Sequence, residues 1–340
     1  MNKELLKQLC TIDGVSGREE SVRTFILDQL RSYETPMDIH MDAMGNVIVH
    51  VIGKENASNK VMFDAHMDEV GFIVTHICEN GFLRFATVGG IDPQVLYGSR
   101  VRINGKIGLI GGKAGHQCNP DEMKKVPGVD HLLIDIGADS AEEAKTMVKV
   151  GDTGTFDASL SYLNDDVFYG KAVDDRLGCL LLLDLAKTQP QRDIWLSFSV
   201  QEEVGLRGAG AATEAIKPDY AIAVETTTAG DIAGCDEQNA TCFMGGGVVV
   251  SFADRATTYD FDLYNRIRVL ADKNDIANQT KNRVVGGNNA GAIQTRGLGT
   301  RMAAVSLPCR YIHSPTCMGK ISDVEAMRSL IKVLSEELTQ

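Results

Sequence analysis

Apolar runs that end in an acid or a histidine recur along this chain, and they constrain its fold more than any other feature. In order the clusters are Ala65-His66-Met67-Asp68-Glu69, Lys171-Ala172-Val173-Asp174-Asp175-Arg176, Gln201-Glu202-Glu203-Val204-Gly205, Ala223-Val224-Glu225 and Arg310-Tyr311-Ile312-His313-Ser314. Most of them follow a segment that reads as a strand, at residues 60–65, 194–200, 220–224 and 302–307. Strands that end this way can gather their polar groups at one edge of an open α/β sheet, which is where such folds hold ligands.

The spaces between these strands carry helical periodicity at residues 174–187, 206–216, 259–271, 288–296 and 322–338. A strand at 276–279 joins them, and a strand pair at 37–41 and 46–52 turns at Ala43-Met44-Gly45. Ser16 and Glu19 have capping-box spacing before Val22, Phe25, Ile26 and Leu30, which share one helical face. This alternation predicts a layered α/β domain. From about Val70 the texture changes to short β-like runs at 71–74, 82–85, 100–103 and 106–110, with one short helix at 141–148. The expected organisation is an α/β domain over residues 1–66 and 165–340, interrupted by a β insert over 67–164.

Composition bounds the partners. The chain has 340 residues, 44% hydrophobic and 24% charged, which is enough for a substantial core. Its net charge is −12 and it has no basic run, so nucleic-acid binding is not expected. Met1-Asn2-Lys3-Glu4 leads into a short amphipathic helix rather than a signal h-region, and the most apolar segment, 179–183, is broken by Asp184, so no membrane span is expected. The 8 cysteines form no CxxC pair and several lie in apolar contexts, which predicts reduced, buried thiols and a cytoplasmic protein.

The clusters read as chemistry when taken together. Imidazole and carboxylate, with no thiolate required, suit hard or borderline divalent ions such as Zn, Co or Mn. His66 and Asp68 are two apart, so on an extended chain they face one side and the acid can fix the imidazole tautomer. Asp174 and Asp175 open a helix; one of them can bridge two cations, or both can simply favour the helix dipole. Glu202 and Glu203 follow a largely apolar strand, where paired carboxylates are costly to bury alone. A division of labour accounts for them: one binds metal and the other takes a proton from the water the metal activates. The glycine runs Gly111-Gly112-Lys113 and Gly245-Gly246-Gly247 lack the spacing of a phosphate loop, and the second is expected to form a flexible wall near the site. His116 and Cys118 supply only two potential ligands and read as a loop, while His76 and His131 read as structural.

At these residues the chain resembles the M42 family of co-catalytic metallo-aminopeptidases, the tetrahedral (TET) aminopeptidases, often labelled endoglucanases. The resemblance covers nearly the whole chain: AHMDEVGF at 65–72, HLLIDIGADSAEEA at 131–144, GKAVDDRLG at 170–178, QEEVGLRGA at 201–209, AGD at 229–231 and CRYIHSP at 309–315. The large insert lies early, between His66 and Asp174, whereas related deacylases and carboxypeptidases carry their extra domain later. The implied fold is a three-layer, mixed-sheet metallopeptidase domain of phosphorylase/hydrolase-like architecture, with a small barrel-like β insert for dimerisation. The implied roles place His66 and Glu225 on one metal and Glu203 and His313 on a second, with Asp174 bridging, Glu202 as general base and Asp68 orienting His66. A cis peptide at Asp174–Asp175 is also implied. The implied activity is removal of N-terminal residues from short peptides by a dimer-built tetrahedral dodecamer. The alternatives are a di-metal deacylase of N-acyl amino acids and a non-catalytic shell protein; a polysaccharide hydrolase leaves the histidines unexplained. The chain departs from the family at Glu225, where Asp is commoner, and at Asn288-Asn289, where Thr-Asp is commoner; the second change is expected to remove a negative charge near the pocket.

Overall fold

The computed structural model describes residues 1–340. Helices α1 (Lys3–Thr11) and α2 (Glu20–Arg31) lead into strands β1 (Met37–Met41), β2 (Val47–Val51) and β3 (Val61–His66). Next come β4 (Gly71–Ile77), β5 (Leu83–Val88), β6 (Arg100–Ile103), β7 (Lys106–Gly112), β8 (Leu132–Asp135), helix α3 (Ala141–Met147) and β9 (Thr153–Phe156). The chain continues through β10 (Ser161–Tyr162), β11 (Val167–Gly170), α4 (Val173–Ala186), β12 (Ile194–Ser199), α5 (Arg207–Ile216) and β13 (Tyr220–Thr228). It closes with β14 (Val248–Val250), α6 (Phe261–Lys273), β15 (Asn278–Thr280), α7 (Ala290–Ile293), β16 (Arg301–Cys309), β17 (Cys317–Lys320) and α8 (Ile321–Glu337).

The large sheet has the order β1-β2-β12-β3-β13-β16-β14-β15. Its centre is parallel: β3 lies between β12 and β13, and β13 runs beside β16. Both faces of this centre are covered, which is why all six residues of β3 are buried and why these strands read as continuous apolar runs. Alternate residues feed opposite layers. Val61, Phe63, Ala65, Ile222, Val224, Ala303 and Val305 pack into the larger core with α1, α2, α4, α6 and α8. Met62, Ala221, Ala223, Met302 and Ala304 pack against Ala209, Ala212 and Ile216 of α5 and Ala290 and Ile293 of α7. The result is a three-layer, mixed-sheet α/β domain. Between Leu177 and Leu183 helix α4 is apolar all round, as its position under β3 and β13 requires. No helix is long and apolar enough to cross a membrane.

Strands β4-β5-β8-β7-β6-β9 close into a barrel with its own core. Phe72 meets Phe85 and Phe156 edge-on, with centroids 5.5 and 5.1 Å apart. Arg102 of β6 ties the barrel to the α/β domain through Asp13, with Nη2 2.8 Å from Oδ1.

Several local expectations change. The capping box does not form: α2 starts at Glu20, and Glu19 makes no side-chain cap. The Ser16 hydroxyl donates instead to Asp68 Oδ2 at 2.6 Å, and Glu19 accepts from the Gly17 and Gln201 amides at 2.6 and 3.2 Å. His76 and His131 are exposed rather than structural. The Gly245 and Gly247 amides are pinned by the Asp323 carboxylate at 2.6 and 2.8 Å, so this glycine run packs on the start of α8 and is not a wall of the site.

Candidate metal centre

The seven residues given roles in the sequence, His66, Asp68, Asp174, Glu202, Glu203, Glu225 and His313, converge at the carboxyl edge of the parallel strands. His66 ends β3 and Asp174 opens α4. Glu202 and Glu203 follow β12, and His313 lies in the turn between β16 and β17. Glu225 falls inside β13 rather than at its end, because that strand runs on to Thr228 alongside β16. Sharp turns present these groups: Ala172, Gln201, Tyr311 and His313 all have left-handed backbone, with φ of 54°, 57°, 58° and 59°. Non-glycine residues adopt that conformation only where surrounding structure enforces it. The Asp174–Asp175 peptide bond is cis.

The geometry is specific. His66 Nε2 is 3.5 Å from Asp174 Oδ1, 3.8 Å from Glu225 Oε2 and 3.9 Å from Glu202 Oε2. His313 Nε2 is 3.2 Å from Glu203 Oε1 and 3.4 Å from Asp174 Oδ2. Asp174 therefore offers one oxygen to each histidine. Each imidazole turns its other nitrogen to a main-chain carbonyl: His66 Nδ1 is 3.1 Å from the Asp68 oxygen, and His313 Nδ1 is 2.6 Å from that of Gly90. A carbonyl can only accept, so Nδ1 carries a hydrogen, and Nε2, the nitrogen that faces the carboxylates, is the one an ion could take once it gives up its proton.

Asp68 braces this arrangement from beneath. Its Oδ1 accepts from the Glu202 amide at 3.0 Å and lies 3.4 Å from His66 Nδ1. Its Oδ2 accepts from the Glu203 amide at 3.1 Å and from Ser16. Asp175 points away from the centre, accepting from the Gly178 and His66 amides at 3.0 and 3.3 Å. Below them lies a buried ion network: Lys171 Nζ is 2.7 and 2.9 Å from the Glu69 oxygens, and Arg176 Nη2 is 3.4 Å from Glu69 Oε1.

Burial raises the Glu202 and Glu225 carboxyls well above their usual range, and the neighbouring carboxylates add to the effect. Burial opposes a charged His313, but Asp174 and Glu203 outweigh it and push the imidazole up to about 11. The same balance, with Asp174 and Asp68 as partners, raises His66. The site is thus a concentration of negative charge that protons only partly compensate. Glu225 Oε1 is buried with no hydrogen-bond partner at all. Three overlapping sets of ligand atoms lie within 4.8 Å of one another: His66-Asp174-Glu225, His66-Glu202-Glu203 and Asp174-Glu203-His313. The donor set is oxygen and imidazole nitrogen, because the nearby Cys179 thiol is spent on the His66 carbonyl at 3.2 Å. These residues fit a divalent cation.

A cleft of about 360 Å³ opens beside the centre, with Asp174 and His313 in its wall and Thr226, Thr228, Asn288 and Lys281 further along. Asn289 does not contribute to it. This side chain is fully buried, and its Nδ2 donates to Asp64 Oδ2 at 2.8 Å and to Ser199 Oγ at 2.9 Å. The expected loss of pocket charge is therefore misplaced: an amide at 289 supplies a donor to a buried carboxylate, itself raised to about 6 by burial. Gly90, and the contact of Ser16 with the site, escaped sequence reasoning, since these contacts join segments far apart in the chain.

A parallel-centred sheet with paired histidines and carboxylates along its carboxyl edge defines a class of α/β hydrolase built around cations. The family model described as M42 glutamyl aminopeptidase matches residues 45–330. A putative aminopeptidase of Acetivibrio thermocellus is 36% identical, covering 98% of this chain and 98% of that one. Among solved structures, the TET aminopeptidase of Thaumarchaeota archaeon SCGC AB-539-E09 superposes with a TM-score of 0.93 at 33% identity, covering 98% and 96%. The Pyrococcus horikoshii TET1 peptidase, which assembles into a tetrahedron or an octahedral shell, superposes with a TM-score of 0.87 at 33% identity, covering 98% and 99%. The chain belongs to the M42 aminopeptidase family.

Proposed function

We propose that this protein is a co-catalytic aminopeptidase that removes N-terminal residues from short peptides at a centre for two divalent ions, Zn or Co, with Mn also suited. His66 and Glu225 would hold one ion and Glu203 and His313 the other, with Asp174 shared between them. The observation that carries this reading is the division of Asp174 between the histidines, one oxygen at 3.5 Å from His66 and the other at 3.4 Å from His313. When bound, such ions polarise a carbonyl and lower the pKa of water.

The protein's own groups supply the rest. Glu202 is the carboxylate left over once the two ligand sets are filled, and Asp68 fixes its backbone. As the carboxylate, Glu202 would take a proton from the attacking water and pass it to the leaving amine, and its burial raises its affinity for that proton. Asp68 holds the His66 tautomer and sets the spacing of the two glutamates. The carboxylate-rich rim suits a cationic α-amine, which an N-acylated peptide lacks.

The domain reading joins this proposal: residues 1–66 and 165–340 form the catalytic unit, and 67–164 form the dimerisation insert. Tyr97, Ile107 and Leu109 are 49%, 44% and 52% exposed on that insert, an apolar face suited to a second copy. Dimers joined in a tetrahedral dodecamer follow by likeness to the P. horikoshii assembly. All eight cysteines are free, which suits the reducing cytoplasm.

The test is a peptide series with free and acetylated N-termini in added Co or Zn. Release of single residues from free amines alone supports the aminopeptidase. Cleavage of acetylated members would make the protein a deacylase, and no cleavage at full metal loading would leave a shell protein.

A further inference from the structure

The barrel reaches the metal centre through the Gly89-Gly90 turn, which lies between β5 and β6. The Gly90 carbonyl accepts from His313 Nδ1 at 2.6 Å. The next residue, Ile91, is buried in the barrel core and anchors the turn there. Gly89 lies against Val70 and Glu203: a Cβ built on it would stand 2.8 Å from Val70 Cγ1 and 3.3 Å from Glu203 Cβ. Its φ of +82° also calls for glycine. Val70 and Phe156 of the barrel core share with Asp174, Glu203 and His313 the wall of a space of only about 10 Å³, so the barrel packs closely on this ligand set.

The two histidines are therefore supported differently. The His66 side chain is 1% exposed, and beside its Nδ1 stands Asp68, itself tied to Ser16 and to the Glu202 and Glu203 amides. The His313 side chain is 31% exposed and leaves a left-handed backbone position in a turn. Its Nδ1 has the Gly90 carbonyl as hydrogen-bond partner. A half-exposed imidazole keeps one orientation only if its far nitrogen is held, and the group that holds it tunes the affinity of the near one for an ion.

We propose that the barrel completes one ion site and not the other. The Gly89-Gly90 turn is a positioning segment: it aims His313 through the Gly90 carbonyl and backs Glu203. An ion between Glu203 and His313 depends on it, and an ion between His66 and Glu225 does not. This rests on the two-ion reading and deepens it, for the insert then shapes the centre as well as presenting a face to a second copy.

The test is the affinity of each Co ion, from stepwise competition with a chromophoric chelator, on the full-length protein. Gly89→Ala strains the turn and drives a methyl into Val70. It is expected to weaken one ion about 10- to 100-fold, the usual cost of disturbing an outer partner of a metal histidine, and to leave the other unchanged. In a His313→Ala background, which keeps only the first site, the same change should have no effect on the ion that remains. Gly98→Ala is the control for strain: its φ is +83°, it lies on the same barrel, and an added Cβ meets nothing within 4 Å. It should leave both affinities at the wild-type level. Val70→Ala, which removes the side chain behind the turn without straining its backbone, should weaken the same ion to a smaller degree, and it decides alone if Gly89→Ala does not fold. Equal weakening of both ions, a matching loss in Gly98→Ala or a further loss in the His313→Ala background would overturn the proposal and leave the two-ion reading standing. So would unchanged affinities in Gly89→Ala, or in Val70→Ala where it decides. Fewer than two ions on the wild-type chain would overturn both.

Discussion

Replacing Asp68 with Asn tests how this centre is braced. The side chain keeps its shape but exchanges one acceptor oxygen for a donor. In the native protein Oδ1 accepts from the Glu202 amide at 3.0 Å, and Oδ2 accepts from the Glu203 amide at 3.1 Å and from Ser16 at 2.6 Å. With the new NH2 at Oδ2, two donors lose their acceptor; at Oδ1 only the Glu202 amide does, and the less damaging orientation will prevail. A stranded buried amide costs about 1–3 kcal/mol. The midpoint of urea unfolding for the metal-free protein should fall by a corresponding amount. Loss of the anion beside His66 Nδ1 should also weaken metal binding about 10- to 100-fold, the usual effect of removing an outer partner of a metal histidine. Competition against a chromophoric chelator measures this second effect independently. Unchanged stability together with unchanged metal affinity would refute the bracing role.

The remaining expectations concern catalysis, the ion network and protons. Glu202→Gln should reduce kcat by about 10²- to 10⁴-fold while the ion content stays at the wild-type level; near-normal turnover would remove Glu202 as the base. Lys171→Met leaves Glu69 with the longer Arg176 contact and the Gly14 amide at 3.1 Å but no close cation, so chemical denaturation should show a loss of about 3 kcal/mol, and an unchanged midpoint would deny the network a structural role. His313 in the metal-free protein holds its proton up to about 11, and a ligand imidazole must be neutral, so ions compete with protons and metal affinity should rise with pH below that value. Calorimetric titration in two buffers of different ionisation heat should show proton release on metal uptake; equal heats would contradict this.

Most of the candidate clusters were legible because they lie next to a central strand whose two covered faces force a continuous apolar run, as β3 and β12 show plainly; the Asp174 cluster instead follows β11 of the small three-stranded sheet. The layered α/β class and the β character of the insert followed from the same periodicities. Barrel closure did not, because pairings such as β5 with β8 and β6 with β9 join residues far apart in the chain. Ser16 and Glu19 show the limit of local rules. Their spacing is that of a capping box, but a buried carboxylate and a strand-end amide compete for both side chains and win. Asn289 shows a related limit: its neighbour Asn288 lines the cleft, whereas one position on, at the start of the short α7, the side chain turns into the core. Glu225 was assigned to a strand end, and pairing of β13 with β16 carried the strand past it.

The measurement that tests the account most directly is the number of divalent ions bound per chain, taken by elemental mass spectrometry after saturation and removal of free metal. The account predicts two ions for the wild-type chain and at most one for Asp174→Ala, since the bridging oxygens are shared by both sets of ligands. Fewer than two ions in the wild type, or two retained without Asp174, would contradict it.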